Sequence, residues 1–440
     1  MLFSETEDPA ARSDPASRPD RLRAVPMLRM GLFGFASGLP LLLTFSTVQQ
    51  WLSESHVSLK AIGAAAFFGM PYLLKFLWAP VLDRMPPAIF RRMGRRRGWM
   101  LPVQAALAAS ILALSWCDPS RGLWPVAITA LCLAFFSATQ DVLIDAWRIE
   151  SFAPRFQAAA LGAYSWGYRI AMLCSGGGAI WLATRIGWHG SLLCMALLSL
   201  SGPVAALWSP EPVVPVSAVP RDWRDALRQR VVLPFRDLLG RPAVGAVIAF
   251  VLVANLGTQL ADSMAYPFYH RLGLSPAAVA QANLLPALAA ALAGAAASGV
   301  LVARLGLGRT LILTACLQMA SIGLYVAMAR TGASVPLLFA KVVIEGFAEV
   351  MAATTFGTYL SRLCSLRYTA TQFALLSSLA PVAWRTLGGT SGVLAEALGW
   401  TRYFGLTMLC CLPGIAIMSW LLSRYPGGLP PAVPEPRPQA

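Results

Sequence analysis

Asp141 and Asp145 stand four residues apart in Ser137-Ala-Thr-Gln-Asp141-Val-Leu-Ile-Asp145-Ala-Trp147-Arg148, at the end of an apolar run that begins near Leu123. In a helix this spacing stacks the two carboxylates one turn over the other on one face. Lys341, Glu345 and Glu349 repeat the spacing inside another apolar run, and Lys75, Arg169, Asp262 and Arg385 each lie within further ones. Such groups can bind and release a proton on a carboxyl held away from water. They can also fix an anionic ligand, arginine through its two-pronged fork. No Ser-His-Asp set, HExxH or glycine-rich phosphate loop stands in a fitting context, so an enzyme reading is weak.

Several roles stay open at this level. A Lys341–Glu345 pair can be structural neutralisation, which leaves Glu349 less compensated. Glu345 and Glu349 are candidates for proton coupling or for plain ion pairing. Asp141 lies a turn deeper than Asp145 and is either a coupling carboxylate or part of a latch. Asp145 with Arg148, and Asp83 with Arg84 at the edge of a run, read as gating pairs that close in one conformation and part in another. Arg169 sits between Trp166-Gly167-Tyr168 and Ser175-Gly-Gly-Gly178. It is either a ligand-binding residue or an arginine at a close helix crossing, paired with Asp141 or Asp145. Arg385 has the same two readings, with Asp262 or Glu345 as partner. Asp262 shares a helix face with Asn255 and Gln259, and Gln50 shares a stripe with Thr44, Thr47 and Trp51. Lys75, Lys341, Asp262 and Gln50 join the arginines as binding candidates.

The elements that must position these groups are membrane spans. The chain is 57% hydrophobic and 12% charged over 440 residues, against about 25% charged in a soluble protein. A span needs about twenty apolar residues. Twelve stretches qualify: 29–53, 60–82, 99–117, 123–146, 157–184, 188–208, 243–269, 277–303, 309–329, 334–361, 369–395 and 402–423. An all-α integral membrane protein follows, with a tail over 1–28, a six-helix bundle over 29–208, a linker over 209–242, a second six-helix bundle over 243–423 and a tail over 424–440. No signal-cleavage pattern follows an apolar run, so the first span is expected to be an uncleaved anchor. With both termini cytoplasmic, 25 of the 35 lysines and arginines fall on the inside, six outside and four within spans. That bias sets the orientation and explains the net charge of +15 without a nucleic-acid partner. The eight cysteines lie within or at the ends of apolar runs and read as packing residues; no cysteine or histidine spacing suggests a metal.

The halves look like a repeat. Arg169 and Arg385 are 216 residues apart, and a basic turn follows the second span of each half. Six spans repeated once is the layout of the major facilitator superfamily, in which two bundles rock about a site near the midplane. Phe33-Gly-Phe-Ala-Ser-Gly-Leu-Pro40, Lys75-Phe-Leu-Trp-Ala-Pro80-Val-Leu-Asp83-Arg84, Gly94-Arg-Arg-Arg-Gly-Trp99, Ala138-Thr-Gln-Asp141-Val-Leu-Ile-Asp145-Ala-Trp147, Gly167-Tyr-Arg169 and Ala370-Thr-Gln-Phe-Ala-Leu-Leu-Ser377 narrow this further. Together they resemble the AmpG muropeptide permeases and, in part, their cousins the acetyl-CoA transporters and some siderophore importers. Many AmpG proteins are longer and carry extra spans that are not found here.

The resemblance implies proton-driven import of N-acetylglucosaminyl-1,6-anhydro-N-acetylmuramyl peptides across a bacterial inner membrane by a monomer with no cofactor. It also implies a part in cell-wall recycling and in β-lactamase induction. Trp51 would then either stack on a sugar ring or anchor at the membrane interface. A siderophore importer and a CoA-thioester carrier are the rivals within transport. Four buried cations against five buried carboxylates do not favour a trianionic CoA ligand. A non-transporting membrane sensor is the rival of another class.

Overall fold

The computed structural model describes residues 21–55, 68–83, 88–212, 233–425 and 428–431, and these form helices and the turns between them. Arg84 lies outside the described residues, as do residues 1–20 and 213–232 of the expected tail and linker. Among the described residues, eight helices are long and apolar enough to cross a membrane. Twelve spans are expected from sequence, and the difference has local causes. Pro154–Trp208 contains two expected spans that meet at Gly187, where φ is +75° and the helix turns. Val335–Leu363 carries Lys341, Glu345 and Glu349. The next span is broken into Thr369–Leu379, Val382–Gly388 and Ser391–Leu398. The second expected span is described only from residue 68.

Breaks recur where the chemistry-bearing residues lie. The expected span at 243–269 is three pieces, Val244–Val253, Leu256–Ser263 and Ala265–Arg271, so Asn255 marks a break rather than a position on one continuous face with Gln259 and Asp262. Lys75 opens a tight turn at Lys75–Leu77 between Met70–Leu74 and Ala79–Leu82. Wider π turns interrupt the first and fifth expected spans at Leu43–Thr47 and Cys174–Gly178. The two π turns meet: Thr47 Oγ1 donates to the Ser175 carbonyl at 2.7 Å. Non-helical backbone at membrane depth persists only where protein or a watery cavity satisfies it.

Glycines set the closest crossing. The Arg21–Leu42 and Gln157–Leu173 helices touch backbone to backbone. A Cβ on Gly34 or Gly38 would strike the Tyr164 or Tyr168 main chain, and one on Gly167 would strike the Gly31 carbonyl. In the second half, Gly294 of Leu285–Leu305 meets the Phe347 main chain of Val335–Leu363 in the same way. Lipid offers helices no hydrophobic gain from pairing, so small residues that admit close packing hold them together.

The hydrophobic clusters show how the halves sit. At the end that carries Arg95–Arg97, Arg148 and Arg362, the clusters mix both halves: Ile149 and Ala158 pack with Phe356, Tyr359 and Leu360, while Ala370 and Ala374 pack with Val142 and Trp147. At the opposite end each half keeps its own cluster, around Trp51, Leu107 and Leu192 in one and around Phe268, Tyr325 and Phe404 in the other.

Candidate functional site: two polar clusters facing a central cleft

The first cluster belongs to the N-terminal half. Ser37 Oγ donates to Asp141 and is 2.6 Å from the Tyr164 hydroxyl, while the Tyr72 hydroxyl donates to Ser137 at 2.9 Å. Lys75 is half-buried at the start of the turn Lys75–Leu77. Helical spacing puts Ser137 and Asp141 on one face of Leu123–Ser151, and the glycine crossing brings Ser37 and Tyr164 to that face.

The second cluster belongs to the C-terminal half. Lys341 is 2% exposed, and Nζ donates to the Tyr269 hydroxyl at 2.7 Å, to the Tyr325 hydroxyl and to Glu345. The Tyr325 ring also lies under the ammonium, its centroid 3.8 Å from Nζ. A lysine buried to this degree needs its donors satisfied, and two tyrosines with a carboxylate do so.

The clusters face each other. Arg169 and Glu349 approach to 4.0 Å across the halves, with side chains 33% and 45% exposed. Side chains this exposed at mid-helix, between bundles rather than toward lipid, line a water-accessible cleft. Near them Trp166 Nε1 donates to the Leu292 carbonyl at 3.0 Å.

The arginine-rich end is latched. Asp83 accepts from the Ala370 amide at 3.1 Å, the Thr371 amide at 2.9 Å and Thr371 Oγ1 at 2.7 Å. A carboxylate there also complements the partial positive charge at the start of Thr369–Leu379. Arg96, fully buried, holds Asp83 at 2.9 Å, the Leu82 carbonyl at 2.9 Å and Glu150. Arg148, also fully buried, reaches Asp145 and Ser361 at 3.0 Å each and Gln157 at 3.1 Å. Arg362 donates to the Pro154 carbonyl at 2.8 Å.

The structure therefore brings together Lys341 with Glu345, Arg169 with Glu349, and Asp145 with Arg148. It places other residues differently from the sequence expectations. Arg169 turns to Glu349, not to Asp141 or Asp145, because the crossing at Gly167 points the arginine toward the other half. Arg385 is exposed and lies over Trp384 at 5.3 Å; among the described residues no ion pair joins it to Asp262 or Glu345. Gln50 is exposed and donates to Glu54 at 2.9 Å, the same carboxylate that accepts from Trp188 Nε1 at 2.8 Å, away from both clusters. Its expected companions are otherwise engaged. Thr44 donates to the Pro40 carbonyl at 2.8 Å, and Trp51 is buried against Trp188 with ring centroids 6.0 Å apart.

The chain is similar to the anhydromuropeptide permease of Escherichia coli K12, with 36% identity over 389 residues, 88% of this chain and 78% of that protein. Residues 27–380 match the family model described as Major Facilitator Superfamily. The chain belongs to the AmpG family of the major facilitator superfamily. Another similar member is putative transporter AmpG 4 of Rickettsia conorii, 29% identical over 89% of this chain and 95% of that one. The structure of the human organic anion transporter MFSD10 shares the fold, with a TM-score of 0.66 at 14% identity, covering 91% of this chain and all of that one. An AmpG-family chain is a transporter and not an enzyme.

The tyrosines escaped the sequence reading. Tyr164, Tyr269 and Tyr325 each bond a residue singled out by its charge or contact that residue's partner, and Tyr72 donates to Ser137, one turn from Asp141. Their signal was present as hydroxyl-bearing aromatics within spans, but aromatic belts at membrane interfaces produce the same signal. Glu150 and Glu211 complete the arginine-rich end, and Glu211 accepts from the Arg96 amide at 2.6 Å and the Arg97 amide at 3.1 Å.

Proposed function

We propose that the protein is a twelve-span monomeric importer of anhydro-muropeptides, with both termini in the cytoplasm, carrying its substrate from periplasm to cytoplasm together with protons. The bacterial inner membrane is its place and cell-wall recycling its role. Where its host uses imported muropeptides as a signal, it feeds β-lactamase induction. The observation that carries the reading is the pair of facing clusters, with Arg169 and Glu349 meeting between them in a water-accessible cleft.

A muropeptide offers several carboxylates together with many hydroxyl and amide groups. Arg169, Lys75, Lys341 and Arg385 supply cations, while Asp262 supplies a hydrogen-bond partner. Asp141, Glu345 and Glu349 supply carboxyls for proton exchange. Identity to a permease whose name specifies anhydromuropeptides supports the substrate class. With the arginine-rich end inside, the latched conformation faces the periplasm. Proton binding and substrate binding would together release Asp83 from Thr371 and Arg148 from Ser361, so that the halves rock to the other side.

The test is uptake of labelled anhydro-muropeptide into proteoliposomes with and without an inward proton gradient. Accumulation that depends on the gradient is expected. Absence of uptake by folded protein would sink the substrate assignment, and ferric siderophores would then be tried in the same vesicles.

A further inference from the structure

Contacts between the halves form a ladder along two helices, Gln157–Leu173 of the first half and Val335–Leu363 of the second. At its foot Arg148 bonds Ser361 at 3.0 Å. One turn on, Leu161 lies against Gly357, where an added Cβ would strike its Cδ2. The next rung is Ser165 with Thr354, their hydroxyls 3.5 Å apart. The last is Arg169 with Glu349 at 4.0 Å. One turn beyond it, Glu345 turns back to Lys341 of its own helix and Leu173 is exposed. Arg169 and Glu349 thus stand where the joined part of the molecule gives way to the open cleft. They are also loosely held. A charge-assisted hydrogen bond spans about 2.7–2.9 Å, so at 4.0 Å the arginine fork is attracted to Glu349 but not filled by it. By contrast Arg96, Arg148 and Lys341 are buried and spend their donors on several acceptors each. Arg385 lies over Trp384, and Lys75 has no fork to offer.

We infer that Arg169 receives a carboxylate of the transported anion, and that Glu349 is its stand-in, holding the arginine until the substrate displaces it. The inference rests on the proposed function for the identity of the ligand. An anion entering from the open end meets this rung before any other. Its carboxylate can approach both prongs of the fork, which Glu349, carried by the opposite helix, does not reach at this separation. The exchange has two consequences. It selects ligands that carry a carboxylate, because a neutral ligand must either leave the Arg169–Glu349 attraction in place or break it without replacement. It also takes away the rung at the top of the ladder, so the loaded protein has one contact fewer between its halves. No covalent bond forms or breaks.

Two measurements on the purified full-length protein test this. The first is binding of N-acetylglucosaminyl-1,6-anhydro-N-acetylmuramic acid, which has one carboxyl, and of its methyl ester, which has none. Wild type should bind the acid roughly tenfold or more tightly than the ester. Arg169→Gln should bring the acid down to the ester, and Arg169→Lys should keep part of the preference. Glu349→Gln should bind the acid about two- to fivefold more tightly than wild type, the return from a loose, exposed pair. In Arg169→Gln/Glu349→Gln that gain should vanish, because no fork is left to release. Mere removal of negative charge from the cleft would give the gain with or without Arg169. Binding of the ester reports that each variant is folded. A Glu349→Gln protein that binds the acid no better than wild type, or a gain that survives the loss of Arg169, would overturn the inference. The second measurement needs no transported ligand: modification of Arg169 by phenylglyoxal, read by mass spectrometry. Glu349→Gln should speed it, and an unchanged rate would show that Glu349 does not hold the fork. A wild type that binds neither sugar while Glu349→Gln speeds the modification refutes the muropeptide reading and supports the stand-in.

Discussion

Lys341 is the most constrained of the charged side chains in the cleft. It is buried, its donors go to Tyr269, Tyr325 and Glu345, and one ring lies beneath it. Removing one member of a buried pair leaves the other charge uncompensated, which costs about 3–5 kcal/mol. Lys341→Met should therefore lower the melting temperature in detergent markedly. Lys341→Met/Glu345→Gln should recover much of the loss, because no bare carboxylate remains. A double variant no more stable than the single one would show that the lysine contributes through packing alone. The spacing of Lys341, Glu345 and Glu349 in sequence marked one helix face. It also marked Glu345, one turn away, as the lysine's partner, but it could not tell that Glu349 would meet Arg169, because that depends on what stands opposite.

At the scale of helices, the glycine crossing decides where the N-terminal cluster assembles. Gly167→Ala drives a methyl into the Gly31 carbonyl, and backbone cannot move aside as a flexible side chain can. Overpacking of this kind costs about 1–3 kcal/mol. Since Ser37 and Tyr164 lie on the same two helices, uptake should fall together with stability. Gly177→Ala is the control: a Cβ there meets nothing within 4 Å, so its melting temperature should match wild type. Equal melting temperatures for the two variants would show that the crossing has slack. The broken helices at Asn255 and Lys75 were read from sequence as continuous spans, because hydropathy averages over a window and does not register a one-residue break.

At the scale of the whole molecule, Asp83 on Thr369–Leu379 and Arg148 and Arg362 join the halves, and under the proposed function this is one of two arrangements that the halves visit. Hydrogen bonds to a charged group contribute about 1.5–3 kcal/mol each. Losing the Asp83 set should shift the balance by about 3 kcal/mol, roughly 100-fold, toward the arrangement open at this end. A single cysteine placed at Ala158, 2% exposed in the core shared by the halves, reads the shift in a cysteine-free background. Asp83→Ala should raise its labelling rate by a water-soluble maleimide, and an unchanged rate would show that the latch does not set the balance.

Sequence alone determined the class, the family resemblance, the charged residues inside the spans and the bias of arginine to one side. These are properties of composition and of order along one chain, and the cost of burying charge in lipid makes them legible without coordinates. The tertiary structure decided the partners: Arg169 with Glu349 rather than with Asp141, Lys341 with Tyr269 and Tyr325 as well as Glu345, and Asp83 with the backbone of Thr371. Partner choice follows from how far each helix is rotated and how closely it crosses its neighbour. Gly34, Gly38 and Gly167 set that crossing through backbone contacts between residues more than a hundred positions apart. Hydrophobic periodicity says which face of a helix turns inward but not which side chain of another helix it will meet there.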